Sequence, residues 1–75
     1  MKLKDFLKYF VEDIRLELYI NNEISLSCNI ETAVNLFNSD KRGELTVNEK
    51  SVDFKDEYYG FSAVRHKVIR VYCNI

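Results

Sequence analysis

The sequence contains no proline and only two glycines, Gly43 and Gly60. Flexible linkers between domains are rich in glycine, serine or proline, so the composition shows no domain boundary. A chain of 75 residues also has the length of one small domain with a thin hydrophobic core. We therefore expect residues 1–75 to fold as a single domain.

Histidine and cysteine, which often carry catalysis or bind metals, are scarce as well. The sequence has one histidine, His66, and two cysteines, Cys28 and Cys73, which are far apart and form no CxxC motif. A zinc site needs further ligands that a single histidine cannot supply. No phosphate-binding loop, GxGxxG or HExxH motif is present either. We predict a protein that is not an enzyme, binds no metal or cofactor, and keeps both cysteines as free, buried thiols on strands.

Long hydrophobic runs are also absent from the sequence. A membrane-spanning helix needs about 18 consecutive apolar residues, and no stretch approaches that length. Near the N-terminus, Lys4, Asp5 and Lys8 interrupt the apolar run that a signal peptide would need. We expect a cytoplasmic protein with no membrane contact. Its formal net charge of −1 indicates neither a polyanion partner nor general DNA mimicry.

The periodicity of the apolar residues predicts the first elements. Five of them have the spacing of one helix face: Leu3, Phe6, Leu7, Phe10 and Val11. Strict alternation over residues 14–20 and again over 24–28 predicts two strands. Asn21 and Asn22 between them predict a tight hairpin turn, because asparagine tolerates positive φ. The apolar side of the second strand, which begins at Ile24, is expected to face the first helix.

Further signals predict a second helix and a β-rich C-terminal third. Asn29 is a good helix N-cap, and the apolar spacing after it predicts a helix that extends to Phe37. Gly43, in the loop that follows, is a candidate for left-handed backbone. Alternating apolar residues over 45–54 predict a bent hairpin, and the sequence DEYYG predicts a turn. The β-branched run over residues 68–75 predicts a strand in the centre of the sheet.

These elements predict an α+β fold with the order α-β-β-α-β-β. A small antiparallel sheet of three to five strands, covered on one face by two short helices, satisfies the pattern. An exposed final strand could also pair with its copy across a two-fold axis, so a homodimer is one alternative.

Two groups of residues in the C-terminal half are candidates for a partner-binding surface. Six carboxylates, interleaved with lysine and arginine, lie within eighteen residues: Asp40, Glu44, Glu49, Asp53, Asp56 and Glu57. The group after them is basic and aromatic, and tyrosine and arginine are common at interface hot spots. The residues that we predict to bind a partner are Asp53, Asp56, Glu57, Tyr58, Tyr59, Phe61, Arg65, Arg70 and Tyr72. The alternative interpretation is that they are core aromatics beside ordinary strand charges.

The opening MKLKDFLKYF, the following LELYINNEISLSCNI and the late VIRVY together resemble a widespread group of small proteins from phages and prophages of Gram-positive bacteria. The resemblance covers residues 1–30 and 66–75. Residues 38–65 depart from it, because they are longer and more charged than the group's pattern. The resemblance implies a mobile-element origin and a location in the cytoplasm of a bacterial host. It also implies a link to anti-CRISPR and other anti-defence inhibitors, and it transfers no catalytic residue.

The function that we predict is stoichiometric inhibition of a bacterial defence nuclease, with a Cas nuclease or its guide complex as the partner. An acidic face would compete with nucleic acid for a basic channel, and Tyr58, Tyr59 and Phe61 would anchor the contact. The alternative is a small nucleic-acid-binding or oligomeric phage accessory protein, in which the basic and aromatic residues stack on bases and neutralise phosphates.

Overall fold

The structure is a computed structural model that describes residues 1–10, 13–58 and 65–75, without the side chains of Tyr58, Arg65 and His66. These residues form, in chain order, α1 (Leu3–Leu7), β1 (Arg15–Ile20), β2 (Glu23–Asn29), α2 (Ile30–Leu36), a 3₁₀ helix (Lys41–Glu44), β3 (Asp53–Tyr58) and β4 (Arg65–Cys73). The predicted α+β class is therefore confirmed.

The described strands form one four-stranded sheet with the order β2-β1-β4-β3. The outer pairs are antiparallel, whereas β1 and β4 run parallel, with Leu16 opposite Ile69. The sheet is therefore mixed, and the prediction of a wholly antiparallel sheet is wrong. A parallel pair requires a long connection, and between β1 and β4 this connection includes β2, α2, the 3₁₀ helix and β3. This arrangement places the two most apolar strands side by side in the middle.

The last strand, β4, lies between β1 and β3, so its predicted central position is confirmed. The same finding removes one route to a homodimer. A strand with neighbours on both sides does not offer a free edge for pairing across a two-fold axis. The edges of the described sheet are β2 and β3 instead.

The β1–β2 hairpin confirms the predicted turn, but not every apolar residue of β2 faces the helices as predicted. Asn21 and Asn22 have φ values of 51° and 67°, as a tight turn requires. A register shift then falls between Leu18 and Tyr19, and Ile24 pairs with Tyr19. The shift reverses the side-chain alternation of β2. The prediction for Ile24 is therefore wrong, because it points away from the helices and is 56% exposed.

The two helices begin close to where the sequence predicts them. Asn29 caps α2, since its side-chain oxygen accepts a hydrogen bond of 2.8 Å from the backbone N–H of Glu31. The first helix is shorter than predicted: α1 ends at Leu7. Phe10 lies beyond it in a turn, with its N–H bonded to the carbonyl of Leu7 at 3.3 Å. Val11 lies outside the described residues.

The segment between α2 and β3, together with β3 itself, differs from the prediction in three features: the backbone of Gly43, the bent hairpin and the DEYYG turn. Gly43 lies within the 3₁₀ helix and does not have left-handed backbone. The predicted bent hairpin is absent from the described residues, because Thr46 bridges to Lys2 and Val47 bridges to Cys73. Of the predicted DEYYG turn, the first three residues belong to β3, and the other two lie outside the described residues.

Both helices pack on one face of the sheet and form the hydrophobic core there. Its buried members come from the helices, β1, β4 and the segment before β3: Leu3, Leu7, Ile14, Leu16, Leu18, Ile30, Ala33, Phe37, Val47, Ile69, Val71 and Cys73. Cys28 and Cys73 are free thiols on β2 and β4, as predicted, although Cys28 is only half-buried. Burial raises the pKa of both thiols, so neither has the character of an activated nucleophile.

Candidate functional site

The face of the sheet opposite the helices carries mainly polar and aromatic side chains, with members from all four strands, and we call it the outer face. Successive side chains of a strand alternate between faces, so the register assigns its members. They are Arg15, Glu17, Tyr19, Ile24, Ser27, Asp53, Lys55, Glu57, Val68, Arg70 and Tyr72. Within the described part of the chain, neither helix packs against this face.

Five charged side chains of the outer face form a continuous ion network across β1, β4 and β3. The Glu17 carboxylate lies 3.2 Å from Lys55 Nζ and 3.4 Å from Arg70 Nε. Lys55 also contacts Glu57 at 2.6 Å, and Arg70 contacts Asp53 at 3.8 Å. Among the described side chains, three carboxylates and two cations give this ion network a net charge of −1. Glu17 is its central member, with a side chain that is only 14% exposed.

The lysine of the ion network is held in its charged form by its neighbours. The hydrogen bond from Lys55 to Glu57 raises the pKa of Lys55 most, and the contact with Glu17 adds to the effect against the cost of burial. Lys55 is therefore fully protonated at neutral pH. A general base needs a pKa near the working pH, so Lys55 is unsuited to that role.

A second feature, the aromatic row, crosses three strands beside the ion network and consists of Ile24, Tyr19 and Tyr72. The two tyrosines are register partners on the parallel strands β1 and β4. Their rings stack with centroids 5.0 Å apart and planes 18° from parallel. Ile24, on β2, is the register partner of Tyr19 and is 56% exposed. The aromatic row is thus an apolar patch that borders a charged one.

The structure brings together some of the predicted partner-binding residues and separates others. Four of them lie on the outer face: Asp53, Glu57, Arg70 and Tyr72. Asp56 is on the opposite face, paired in register with Lys67, because it is adjacent in sequence to two outer-face residues. Tyr58 and Arg65 are register partners whose side chains the structure does not describe. Tyr59 and Phe61 lie outside the described residues.

The other predicted carboxylates do not extend the outer face into one acidic surface. Glu44 pairs with Lys2 and Lys4 at 2.7 Å and 2.6 Å, beside α1. The hydrogen bonds from Lys2 and then Lys4 lower the pKa of Glu44 to about 2. Glu49 lies 3.8 Å from the N-terminal amine of Met1. These contacts tie segments of the chain together, so their role is structural.

Asp40 also has a structural role, as the N-cap of the 3₁₀ helix. Its carboxylate accepts a hydrogen bond of 2.9 Å from the Arg42 N–H and lies 2.8 Å from one nitrogen of the Arg42 guanidinium. The side-chain and backbone hydrogen bonds from Arg42 lower the pKa of Asp40 to about 2. Arg42 also donates to the Ser25 carbonyl at 3.3 Å, which ties the 3₁₀ helix to β2.

Sequence reasoning missed Glu17, Tyr19, Ile24 and Lys55 as site residues. A signal existed for three of them. Glu17 and Tyr19 alternate with the apolar residues of β1, and Lys55 alternates between Asp53 and Glu57, so each occupies the polar half of a strand. The pairing of β1 with β4 belongs to the tertiary structure and has no local signal in the sequence. Only this pairing joins the polar sides of the strands into one surface.

The described residues hold no group of three or more His, Cys, Asp or Glu side chains that could bind a metal ion. None of their helices is long and apolar enough to cross a membrane. Comparisons with protein-family models, curated proteins and solved structures found no match. The resemblance to small phage proteins therefore stays a prediction.

Proposed function

We propose that this chain is a non-catalytic protein-binding module whose contact surface is the outer face of the sheet. One observation carries the proposal. Residues that the sequence predicts to bind a partner lie on the same face as residues that the sequence analysis did not select. Asp53, Arg70 and Tyr72 share this face with Glu17 and Tyr19, which come from the other end of the sequence. An apolar patch bordered by paired charges is the usual composition of a protein interface.

The charges of the ion network favour a protein partner over a nucleic acid. Both cations of the ion network, Lys55 and Arg70, contact carboxylates of the same network. Phosphate binding relies on lysine and arginine side chains that displace counterions from the nucleic acid, and the ion network, with a net charge of −1, supplies no cation in excess. Arg15, a further cation of the outer face, lies outside the network and bonds to Ser27. Stacked tyrosines beside paired charges are instead suited to anchoring a protein surface.

In its most specific form, the proposal is that the module inhibits a bacterial defence nuclease, such as a Cas effector or its guide complex. The resemblance to small phage and prophage proteins supports this form. Inhibition by occupancy needs a stable surface and no catalytic residue, which agrees with a sequence that has a single histidine and none of the common catalytic motifs. The partner's active or nucleic-acid-binding site would then be blocked at a stoichiometry of one to one.

Affinity capture from a bacterial host lysate, followed by mass spectrometry, tests the proposal. The chain is compared with a Tyr19→Ala/Tyr72→Ala double variant and with Tyr9→Ala. Tyr9 is a matched control, because it is 71% exposed in the turn after α1 and lies outside the outer face. We expect the double variant alone to lose a partner that the other two chains retain. Equal capture by all three would contradict the outer face as the contact surface.

A purified Cas effector tests the inhibitor form separately. Cleavage of its target is followed while the chain is added up to a several-fold molar excess. We expect cleavage to stop near equal concentrations, and the double variant to be weaker. Unchanged cleavage by every effector that the capture experiment identifies would contradict inhibition while leaving the binding surface intact.

Single-stranded nucleic acid is the second candidate partner, and the stacked tyrosines favour it. Aromatic side chains on an open sheet are a common platform for bases. A gel-shift experiment at low and moderate salt decides the question, because phosphate contacts must weaken as salt rises. The absence of a shift at both salt concentrations would exclude this candidate.

A further inference from the structure

We infer that the outer face binds a basic segment of its partner, with an arginine side chain lying against the Tyr19–Tyr72 pair and its guanidinium directed to Asp53. The inference rests on the proposed function, because it takes the outer face as the contact surface. It adds the chemistry of the partner, namely an arginine next to an apolar side chain.

The geometry of the strands places the tyrosines directly beside the carboxylates. Tyr19 follows Glu17 by two positions on β1, and Tyr72 follows Arg70 by two positions on β4. Asp53 is the register partner of Arg70 on β3. Two positions along a strand are roughly 7 Å, so the aromatic row and the nearest carboxylates are within reach of one long side chain.

The charges at this end of the outer face favour a cation. Asp53 has a side chain that is 53% exposed, and its contact with Arg70 is long, at 3.8 Å. It therefore has room for a second cation. Arg70 is shared between Asp53 and Glu17, and Glu17 also pairs with Lys55 at 3.2 Å, so Asp53 is the carboxylate beside the aromatic row with the weaker ion pairing. Arg15, a further cation of the outer face, is four positions from Tyr19 along β1 and bonds to Ser27 at 3.2 Å.

The aromatic row adds a second attraction for the same ligand. The face of a tyrosine ring is electron-rich and attracts a cation placed over it. Because Tyr19 and Tyr72 stack on each other, the face that can take the cation is the one that a ring turns away from its partner. The guanidinium of arginine is planar, so it can stack on a ring and still donate hydrogen bonds to a carboxylate, whereas lysine offers only a point charge. Ile24, 56% exposed at the end of the row, provides contact for an apolar neighbour of that arginine.

Titration of isotope-labelled protein with defined probes, followed by NMR, tests the inference. The probes are a short peptide of alternating leucine and arginine, its counterpart with glutamate in place of arginine, and oligothymidylate. We expect the arginine peptide alone to move the signals of Tyr19, Ile24, Asp53 and Tyr72 to saturation. Equal movement by the glutamate peptide or the oligothymidylate, or no movement by the arginine peptide, would overturn the inference.

Two variants connect these signals to the proposed contacts. Asp53→Asn keeps the shape of the side chain and removes its charge, and it should weaken arginine-peptide binding at least threefold. Ile24→Lys adds a repelling charge at an exposed position that the fold does not need, and it should weaken binding similarly. Glu31→Gln, at an exposed position of α2, is the control and should bind like the parent chain. Parent-like binding by both Asp53→Asn and Ile24→Lys would also overturn the inference.

The two proposals fail in different ways. If the arginine peptide does not bind but the Tyr19→Ala/Tyr72→Ala variant loses the captured partner, the outer face remains the contact surface and only the partner's chemistry is wrong. If that variant keeps the partner, the proposed function is wrong whatever the peptide does.

Discussion

The rings of Tyr19 and Tyr72 stack on the outer face with centroids 5.0 Å apart, although the two residues come from opposite ends of the sequence. They meet because β1 and β4 are parallel neighbours in the middle of the sheet. The stack therefore reports on the topology, and it is also the centre of the proposed contact surface.

The first prediction is a measurable coupling between Tyr19 and Tyr72. Offset or stacked aromatic pairs contribute about 0.5 to 1.5 kcal/mol beyond the area that they bury. Urea unfolding of the parent chain, the two Tyr→Ala variants and the double variant measures that coupling energy. A double variant whose loss of stability equals the sum of the single losses would show that the rings do not stack in solution.

The second prediction concerns the register shift in the hairpin. Ile24 is exposed at the aromatic row, whereas Leu26 packs against the core. Ile24→Ala should therefore change the free energy of unfolding by less than about 0.5 kcal/mol. Leu26→Ala should lower it by about 1 to 3 kcal/mol, because a half-buried methyl-rich side chain is lost. Similar losses from both variants would mean that Ile24 and Leu26 share one face and that the shift is absent.

Local signals in the sequence were sufficient for the parts of the fold that depend on neighbouring residues. The Asn21–Asn22 turn and the Asn29 cap follow from side chains that act within a few positions. The position of β4 at the centre follows from its apolar, β-branched run. Each of these predictions used a single short segment, and each is confirmed.

Features that depend on contacts between distant segments could not be read in the same way. The parallel pairing of β1 with β4 gives no local pattern, and the shift at Leu18 and Tyr19 changes the face of Ile24 without changing the alternation of the sequence. Among the predicted site residues, Asp56 is another case in which the sequence did not reveal the face of a side chain. Its neighbourhood is acidic along the chain, but pleating places it on the face opposite Asp53 and Glu57.

The third prediction concerns Gly43, which is required for close packing rather than for a special backbone angle. A Cβ atom at this position would lie 2.5 Å from the carbonyl oxygen of Phe37 and 3.3 Å from the Cβ of Lys4. Gly43→Ala should therefore lower the free energy of unfolding by about 1 to 3 kcal/mol, the usual cost of overpacking. Thermal and urea unfolding measure it, with Ser39→Ala in the exposed segment before the 3₁₀ helix as the control. An unchanged unfolding midpoint would contradict the close approach.

The fourth prediction is a loss of stability in acid that depends on Asp40 and Glu44. Their contacts lower the pKa of Asp40 from 3.8 to about 2 and that of Glu44 from 4.5 to about 2. Because the folded state binds protons less readily than the unfolded state, this stability is present above the unfolded pKa values and is lost as the pH falls. The free energy of unfolding should therefore decrease between about pH 4.5 and pH 2.

Conservative variants identify the groups responsible. Asp40→Asn and Glu44→Gln remove the titrating carboxyls, and each should make the free energy of unfolding less dependent on pH over that interval. Glu31→Gln on α2 is the control. An acid dependence that neither variant reduces would place its origin in other groups.

The most direct test of the outer face as a contact surface is the dissociation constant of the captured partner for three chains. These are the parent chain, the Tyr19→Ala/Tyr72→Ala variant and the Tyr9→Ala control, each checked for folding by circular dichroism. We predict that the double variant binds about tenfold more weakly or worse, a loss of about 1.4 kcal/mol or more, while the control matches the parent chain. Equal dissociation constants for all three chains would contradict the outer face as the surface by which this protein acts.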